Sequence, residues 1–395
     1  MENKMTNLPQ GWEVKTLSEI GEIITSSTPS KSNVEFYRKD YPFFKPSDFE
    51  QGYFLENAGD NLSKLGFGKA RQLPPKTILV VCIGSLGKVA LTRVIGSCNQ
   101  QINAIIPHKN IISEYIYYYC ISSKFQSILF SKAPQTTLAI FNKTEFSKLE
   151  IIYPKDIKEQ ERIVGILDFA FSKIDENIKK AKENLANIDE LMQSALQKAF
   201  NPLKDNAKEN YKLPQSWEWK SLEEISENIS AGGDKPKNCT ESKTAKNQIP
   251  VYANGVNNNG LVGYTDKATI IKPSLTISAR GTIGFVCIRK EPYFPIVRLI
   301  SLIPCENILC LHYLYFCLNF FIAKGEGSSI PQLTIPKFKS LQIPLPPLKE
   351  QEQIAEHLDF VFEKAKALKE LYTKELKDYE ELKQSLLNKA FKGEL

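Results

Sequence analysis

Residues 8–20 read LPQGWEVKTLSEI and residues 213–225 read LPQSWEWKSLEEI, so the chain restates its own opening at an offset of 205. A second pair, KEQERIVGILDFAFSK at 158–173 and KEQEQIAEHLDFVFEK at 349–364, repeats at an offset of 191. That register runs without insertion to QSALQKAF at 193–200 and QSLLNKAF at 384–391. Self-similarity of this kind restricts the fold to copies of one unit. Between the anchors only fragments match, chiefly IGSLG at 83–87 against RGTIG at 280–284, at an offset of 197. Each copy is a variable globular segment followed by a 43-residue segment whose length was held while its sequence drifted.

The length-fixed segments predict long helices. From Ile163 the apolar positions are Leu167, Ala170, Ile174, Ile178, Ala181, Leu185, Ile188, Met192, Ala195 and Ala199, with spacings of three and four. That is a coiled-coil seam. The second copy gives Ile354, Leu358, Val361, Ala365, Leu368, Tyr372, Leu376, Tyr379, Leu382, Leu386 and Ala390. Asp156 and Glu159 after Pro154 resemble a capping box, and Asn201-Pro202 would end the first helix; Pro346-Pro347 precedes the second and Gly393 follows it. Such a helix spans about 60 Å at about 1.5 Å per residue. Two repeats in one chain most simply pack about a pseudo-two-fold axis, which makes the helices antiparallel.

Charge separates the parts. Residues 158–200 hold 7 basic and 8 acidic side chains and residues 349–391 hold 8 and 10. The two segments carry a net −3, which leaves +9 of the chain's +6 total on the remainder. A phosphate backbone could use that excess. The eight cysteines include no CxxC pair and the three histidines lie far apart, which predicts reduced, mostly buried thiols and no metal. The longest apolar run, 309–323, is about 15 residues and short of a bilayer span, so a buried helix and a cytoplasmic protein are expected.

The expected architecture is α+β: mixed α/β domains at 1–155 and 211–346, long helices at 156–201 and 347–395, and a linker at 202–210. Strands are predicted at 77–82, 89–94, 102–106, 275–278, 284–288 and 298–303. The repeated tryptophans Trp12 and Trp217 read as core anchors rather than base-stacking platforms. Polar loops are where reading groups belong on a rigid scaffold. In the first domain the candidates are Ser27, Thr28, Ser30, Lys31, Lys45, Ser47, Ser85, Lys88, Asn99, Gln100 and Gln101. In the second they are Lys235, Lys237, Asn254, Asn257, Asn258, Arg280 and Thr282. Arginine can grip guanine O6 and N7, and Asn or Gln can grip adenine N6 and N7. Lys, Ser, Thr and backbone amides suit phosphate. Each of these loops also reads as ordinary turn chemistry, and a coiled-coil scaffold whose globular ends bind proteins stays open at this level.

The order reader, KEQE helix, reader, KEQE helix, with LPxxWE opening each reader, resembles the specificity subunit of type I restriction-modification systems across essentially the whole chain. The marks are LPQGWEVKTLSEI, LPQSWEWKSLEEI, IPLPPLKEQEQIAEHLD and the closing QSLLNKAFKGEL. The first helix departs in its lead-in, IIYPKDIKEQE, where prolines are lost. The resemblance implies that each domain reads half of a bipartite double-stranded DNA target and that the helices set the spacing. It further implies two methyltransferase subunits and restriction subunits as partners, with S-adenosylmethionine, ATP and magnesium on those partners rather than on this chain. No NPPF or DPPY loop, Walker A sequence or nuclease cluster is present in the sequence, so no autonomous activity is expected.

Overall fold

The computed structural model describes residues 8–132, 140–200, 216–322 and 333–395. The expected Asn201-Pro202 stop, the linker at 202–210, the start of the second LPxxW motif through Gln215 and Ala323 lie outside the described residues. The chain divides into two compact units, Met1–Ala181 with Thr373–Leu395, and Lys182–Tyr372.

In the first unit, the strand Trp12–Thr16 pairs antiparallel with Glu150–Pro154, Trp12 opposite Pro154. In the second, Glu218–Ser221 pairs with Gln342–Leu345 in the same way. The repeated Trp-Glu-x-Lys motif therefore builds a strand, starting at Trp12 in the first copy and at Glu218 in the second, that clamps the start of each domain to the strand leading into its long helix. A capping box follows each strand. Glu19 accepts from the Thr16 N–H at 2.8 Å and hydroxyl at 2.7 Å, and Glu224 from the Ser221 N–H at 2.8 Å and hydroxyl at 2.6 Å. These bonds hold both carboxyls below their usual range, the Thr16 backbone N–H leading for Glu19 and the Ser221 hydroxyl for Glu224. The short helices they start bury Leu17 and Ile20, and Leu222 and Ile225.

The two domains then share one topology. The first has a sheet ordered Gly21–Thr25, Ile102–Pro107, Ile78–Val81, Val89–Thr92, with Phe54–Leu55 added at the edge. The second has Ser226–Ala231, Ile300–Pro304, Ser274–Ile277, Val286–Arg289. A three-stranded sheet accompanies each, centred on Tyr41–Phe44 and on Ile249–Tyr252, with one antiparallel and one parallel neighbour. The six predicted strands are present with ends shifted by up to two residues. The apolar run forms the helix Leu311–Phe321, which buries Tyr313, Leu314, Phe316, Cys317 and Leu318 in the domain core. Among the described residues no helix is long and apolar enough to cross a membrane. All eight cysteines are free thiols, and burial pushes Cys82 and Cys98 up to about 12.

The long helices run Ile157–Phe200 and Leu348–Ala390. Each starts with a fully buried glutamine from the KEQE motif. Gln160 accepts from the Ile112 N–H at 2.9 Å and donates to the Pro154 carbonyl at 2.9 Å. Gln351 accepts from the Cys310 N–H at 2.9 Å and donates to the Pro346 and Ile308 carbonyls at 2.8 and 2.9 Å. At the first helix Asp156 caps through the Lys158 N–H at 3.0 Å, but Glu159 turns to Arg162 at 2.7 Å, so the expected capping box closes on one side only.

The repeated KAF endings explain the other anchor. Phe391 packs edge-on against Tyr115 and Tyr119 in the first unit, with centroids 5.5 and 5.0 Å apart. Phe200 packs against Tyr313 at 5.5 Å in the second. Each domain core thus takes in the start of one long helix and the end of the other, and Tyr115 and Tyr313 are equivalent: their hydroxyls donate to the carbonyls of Ile152 and Pro344.

Within each unit the helix segments are antiparallel. Lys383 donates to Asp175 at 2.5 Å in the first, and Asn184 to the Tyr372 hydroxyl at 3.1 Å in the second, where Lys369 also meets Asp189. Ile163, Leu167, Ile174, Ala181 and Ile188 are buried as the seam requires. Leu368 and Leu382 are not: they are 42% and 45% exposed, and the neighbouring Lys369 and Lys383 turn toward the facing aspartates instead.

Replacing Gln160 or Gln351 by Ala strands a buried N–H and its carbonyl partners, and should cost about 1–3 kcal/mol for each site. Chemical denaturation of the variants measures it; an unchanged midpoint would contradict the anchoring role.

Candidate nucleic-acid interface

The IGSLG and RGTIG fragments form the same β-hairpin turn. Gly84 and Gly87, and Gly281 and Gly284, all sit at φ between 69° and 88°, a region open to glycine at no steric cost. The closing bonds match: Gly87 N–H to Val81 carbonyl at 2.9 Å, and Gly284 N–H to Ser278 carbonyl at 3.0 Å. The turn joins two strands and is not a strand-to-helix phosphate loop.

Around it, the first domain gathers three of the predicted loops. The Thr28 hydroxyl bonds the Gln100 amide oxygen, and Gln101 reaches the Ile83 carbonyl at 3.4 Å. Asn99 is buried, and its amide is tied to Gln101 at 2.8 Å, which makes it a brace of the loop rather than a free reading group. Ser27, Ser30, Lys31, Ser47, Ser85 and Gln100 are exposed. The lysines are not free: Lys45 pairs with Asp60, Lys31 lies 4.0 Å from the same carboxylate, and Lys88 pairs with Glu50. The Lys88 ammonium holds the Glu50 carboxyl below its usual range. A polyanion would have to draw these cations away from their carboxylates.

The second domain builds the same place differently. Its turn at 280–284 meets the loops around Gly232, Asn254 and Val297. The Asn254 side chain accepts from the Ala279 N–H at 2.8 Å and donates to the Val297 carbonyl at 2.6 Å, so this candidate is also a brace. Gly232 is required there, because a Cβ would lie 2.6 Å from the Ile296 nitrogen. Lys235 and Lys237 are exposed on the segment between Gly233 and Asn238, which is held by Asp266 at 2.6 Å and by Asn247 at 2.6 Å. Asn257 and Asn258 are exposed on a turn in which Asn258 and Asn259 have φ of 50° and 52°. Arg280 is exposed, and the Thr282 hydroxyl is buried without a hydrogen-bond partner among the described residues.

Two residues of this region were not among the expected site residues. Arg289 is 8% exposed, stacks 3.5 Å over the Tyr252 ring and bonds the Thr276 hydroxyl at 3.0 Å and the Asn259 carbonyl at 2.5 Å. It fixes the asparagine turn from beneath. Arg298, expected as the first residue of a strand, instead precedes the strand Ile300–Pro304, with Val297 and Arg298 at φ of 53° and 60°. Strand alternation gave no sign of either role. Of the two expected core anchors, Trp12 packs half-buried on the first core, whereas Trp217 stands half-buried outside the second core cluster and its indole donates to Glu350 at 3.0 Å. Among the described residues no group of three or more His, Cys, Asp or Glu is placed to hold a metal ion.

The arrangement agrees with comparisons to known proteins. The family model described as type I restriction modification DNA specificity domain matches twice, at residues 9–187 and 214–377. The HindI specificity subunit of Haemophilus influenzae is 39% identical over 176 residues, 43% of this chain and 38% of that relative, so the match spans well under half of the relative's length. The MjaIX specificity subunit of Methanocaldococcus jannaschii is 24% identical over 92% of this chain and 89% of its own. Among solved structures, a chain from work on complex assembly and conformational transition of the type I R-M system superposes with a TM-score of 0.81 at 19% identity, over 99% of this chain and 100% of that one. The HsdS subunit of Thermoanaerobacter tengcongensis gives 0.61 at 20% identity, covering 100% of both chains, and at these identities the two structures speak for the fold. With both repeats matched by the family model over most of its length, this chain belongs to the type I restriction modification DNA specificity domain family.

Proposed function

We propose that this chain is the DNA-recognition subunit of a type I restriction-modification complex, in which each globular domain reads one half of a bipartite duplex target. The observation that carries this reading is that both domains present a loop cluster on the same hairpin turn while the side chains there differ: exposed serines, Gln100 and paired lysines in the first, exposed cations and asparagines in the second. A common scaffold with exchanged tips suits two readings of different base sequences. The basic excess outside the long helices supplies the phosphate attraction.

The long helices set the separation of the half-sites and dock the partners. Two methyltransferase subunits bring S-adenosylmethionine and methylate adenine, and restriction subunits bring ATP and magnesium; this chain contributes recognition and no chemistry of its own, in the cytoplasm. Repeat-equivalent side chains on the helices support docking: Phe169 and Phe360 are 69% and 59% exposed, and Leu191 and Leu382 are 55% and 45% exposed. Large apolar groups left in water at matched positions of two copies suit one kind of partner bound twice.

Exchanging residues 210–345 for the corresponding domain of another family member should change one half of the methylated target and leave the other half and the spacer intact. Mapping the modified sites in cells reads this out, and retention of both original halves would refute two-headed recognition. Replacing Phe169 and Phe360 by Glu should weaken co-purification of the methyltransferase partner, by about 2 kcal/mol for each contact, without lowering the melting temperature. Undiminished assembly would remove these side chains from the docking surface.

A further inference from the structure

We propose that Arg298 is the guanine-reading side chain of the second domain, a role that rests on reading the chain as a DNA-recognition subunit. Val297 and Arg298 occupy the left-handed region, with φ of 53° and 60°, which a β-branched residue such as valine adopts only under strain. Three elements hold the pair there. The Val297 and Arg298 N–H groups donate to the Gly233 and Gly232 carbonyls at 2.8 and 2.9 Å, the Asn254 amide donates to the Val297 carbonyl at 2.6 Å, and the Ile296 N–H donates to the Tyr252 carbonyl at 2.8 Å. Strain that is so fully braced marks a position whose direction matters. The product of that bracing is outward side chains: Val297 is 51% exposed, and Arg298 is exposed with its guanidinium without a partner among the described residues.

The repeat decides what such a group is for. Asn99 donates its N–H to the Phe44 carbonyl at 3.0 Å where Ile296 donates to Tyr252, and Val80 pairs with Asn103 in the sheet position where Ile277 pairs with Ile300. Gln100 and Gln101 of the first domain therefore stand where Val297 and Arg298 stand in the second. A phosphate clamp would keep its positive charge in both copies. The equivalent Gln101 is uncharged and its amide is held inside its own loop by Asn99 and the Ile83 carbonyl, so the outward cation belongs to the second domain alone, as a side chain suited to bond a guanine edge bidentately in the major groove. An arginine fixed at its backbone and, among the described residues, free at its tip with no carboxylate against it meets the geometric demand of that contact.

The test is selection from a randomised duplex library by the chain assembled with its methyltransferase partners. Wild type, Arg298→Ala and Arg298→Lys are compared, and the second-domain half-site is identified as the half that changes when residues 210–345 are exchanged. Arg298→Ala should relax one guanine position in that half by about 10- to 100-fold and leave every other position as in wild type. Arg298→Lys, which keeps the charge and the aliphatic stem and so controls for folding, should recover overall affinity but not that preference. A uniform loss of affinity with discrimination unchanged would assign Arg298 to phosphate and overturn the proposal, as would full retention of the motif. Failure of the wild-type assembly to select any motif would overturn the recognition reading itself, whereas an intact wild-type motif unaffected by R298A overturns only the role of Arg298.

Discussion

Each long helix is buried at both ends, and everything variable in the chain depends on that. Its first turn is held by a glutamine with no exposure, bonded to backbone on both sides, and its far end by a phenylalanine seated against tyrosine in a domain core. Within each unit the start of one helix and the end of the other pack on the same core, so a one-residue shift of either segment there, about 1.5 Å and about a quarter of a helical turn, would take its anchor side chain off that core. Polar pairs along the way, Asp175 with Lys383 and Asp189 with Lys369, penalise slipped registers in each unit.

With the attachments made by the clamp strands, the glutamines and the phenylalanines, the loops around the hairpin turn bear none of the load of holding domain to helix. They are free to differ, and they do. The first domain keeps Lys45 and Lys88 against Asp60 and Glu50, which limits attraction for phosphate in the free protein and leaves exposed serine hydroxyls and the Gln100 amide as its polar display. The second uses internal bracing, buried Arg289 under the asparagine turn and half-buried Asn254 between two loops, to carry exposed cations. The same scaffold therefore supports two electrostatic surfaces.

Much of this was legible in the sequence because the signals were periodic. The duplicated helices, the six strands and a buried helix within 309–323 all came from repeat and hydrophobic spacing, and the structure shows them with shifted ends, the last as Leu311–Phe321. Non-local chemistry was not legible. That the Gln of KEQE is the buried anchor depends on backbone groups some 50 residues away, and that Asn99 and Asn254 are braces depends on partners in other loops. Lys45 and Lys88 read as free cations because nothing local reveals a carboxylate across the fold. Arg298 was absorbed into a strand because its left-handed backbone violates what valine and arginine ordinarily do, and only the surrounding bonds impose it. At Leu368 and Leu382 the heptad count ran past lysines that take the seam for electrostatic reasons.

The central claim is that two readers on fixed-length helices direct a reaction performed by other subunits. The most direct measurement is genome-wide mapping of methylated adenines in cells with and without this chain. Two-headed recognition requires a bipartite motif, two specified halves separated by a constant number of unspecified base pairs, methylated only when the chain is present. A single contiguous motif, or methylation that persists unchanged after the chain is removed, would contradict it.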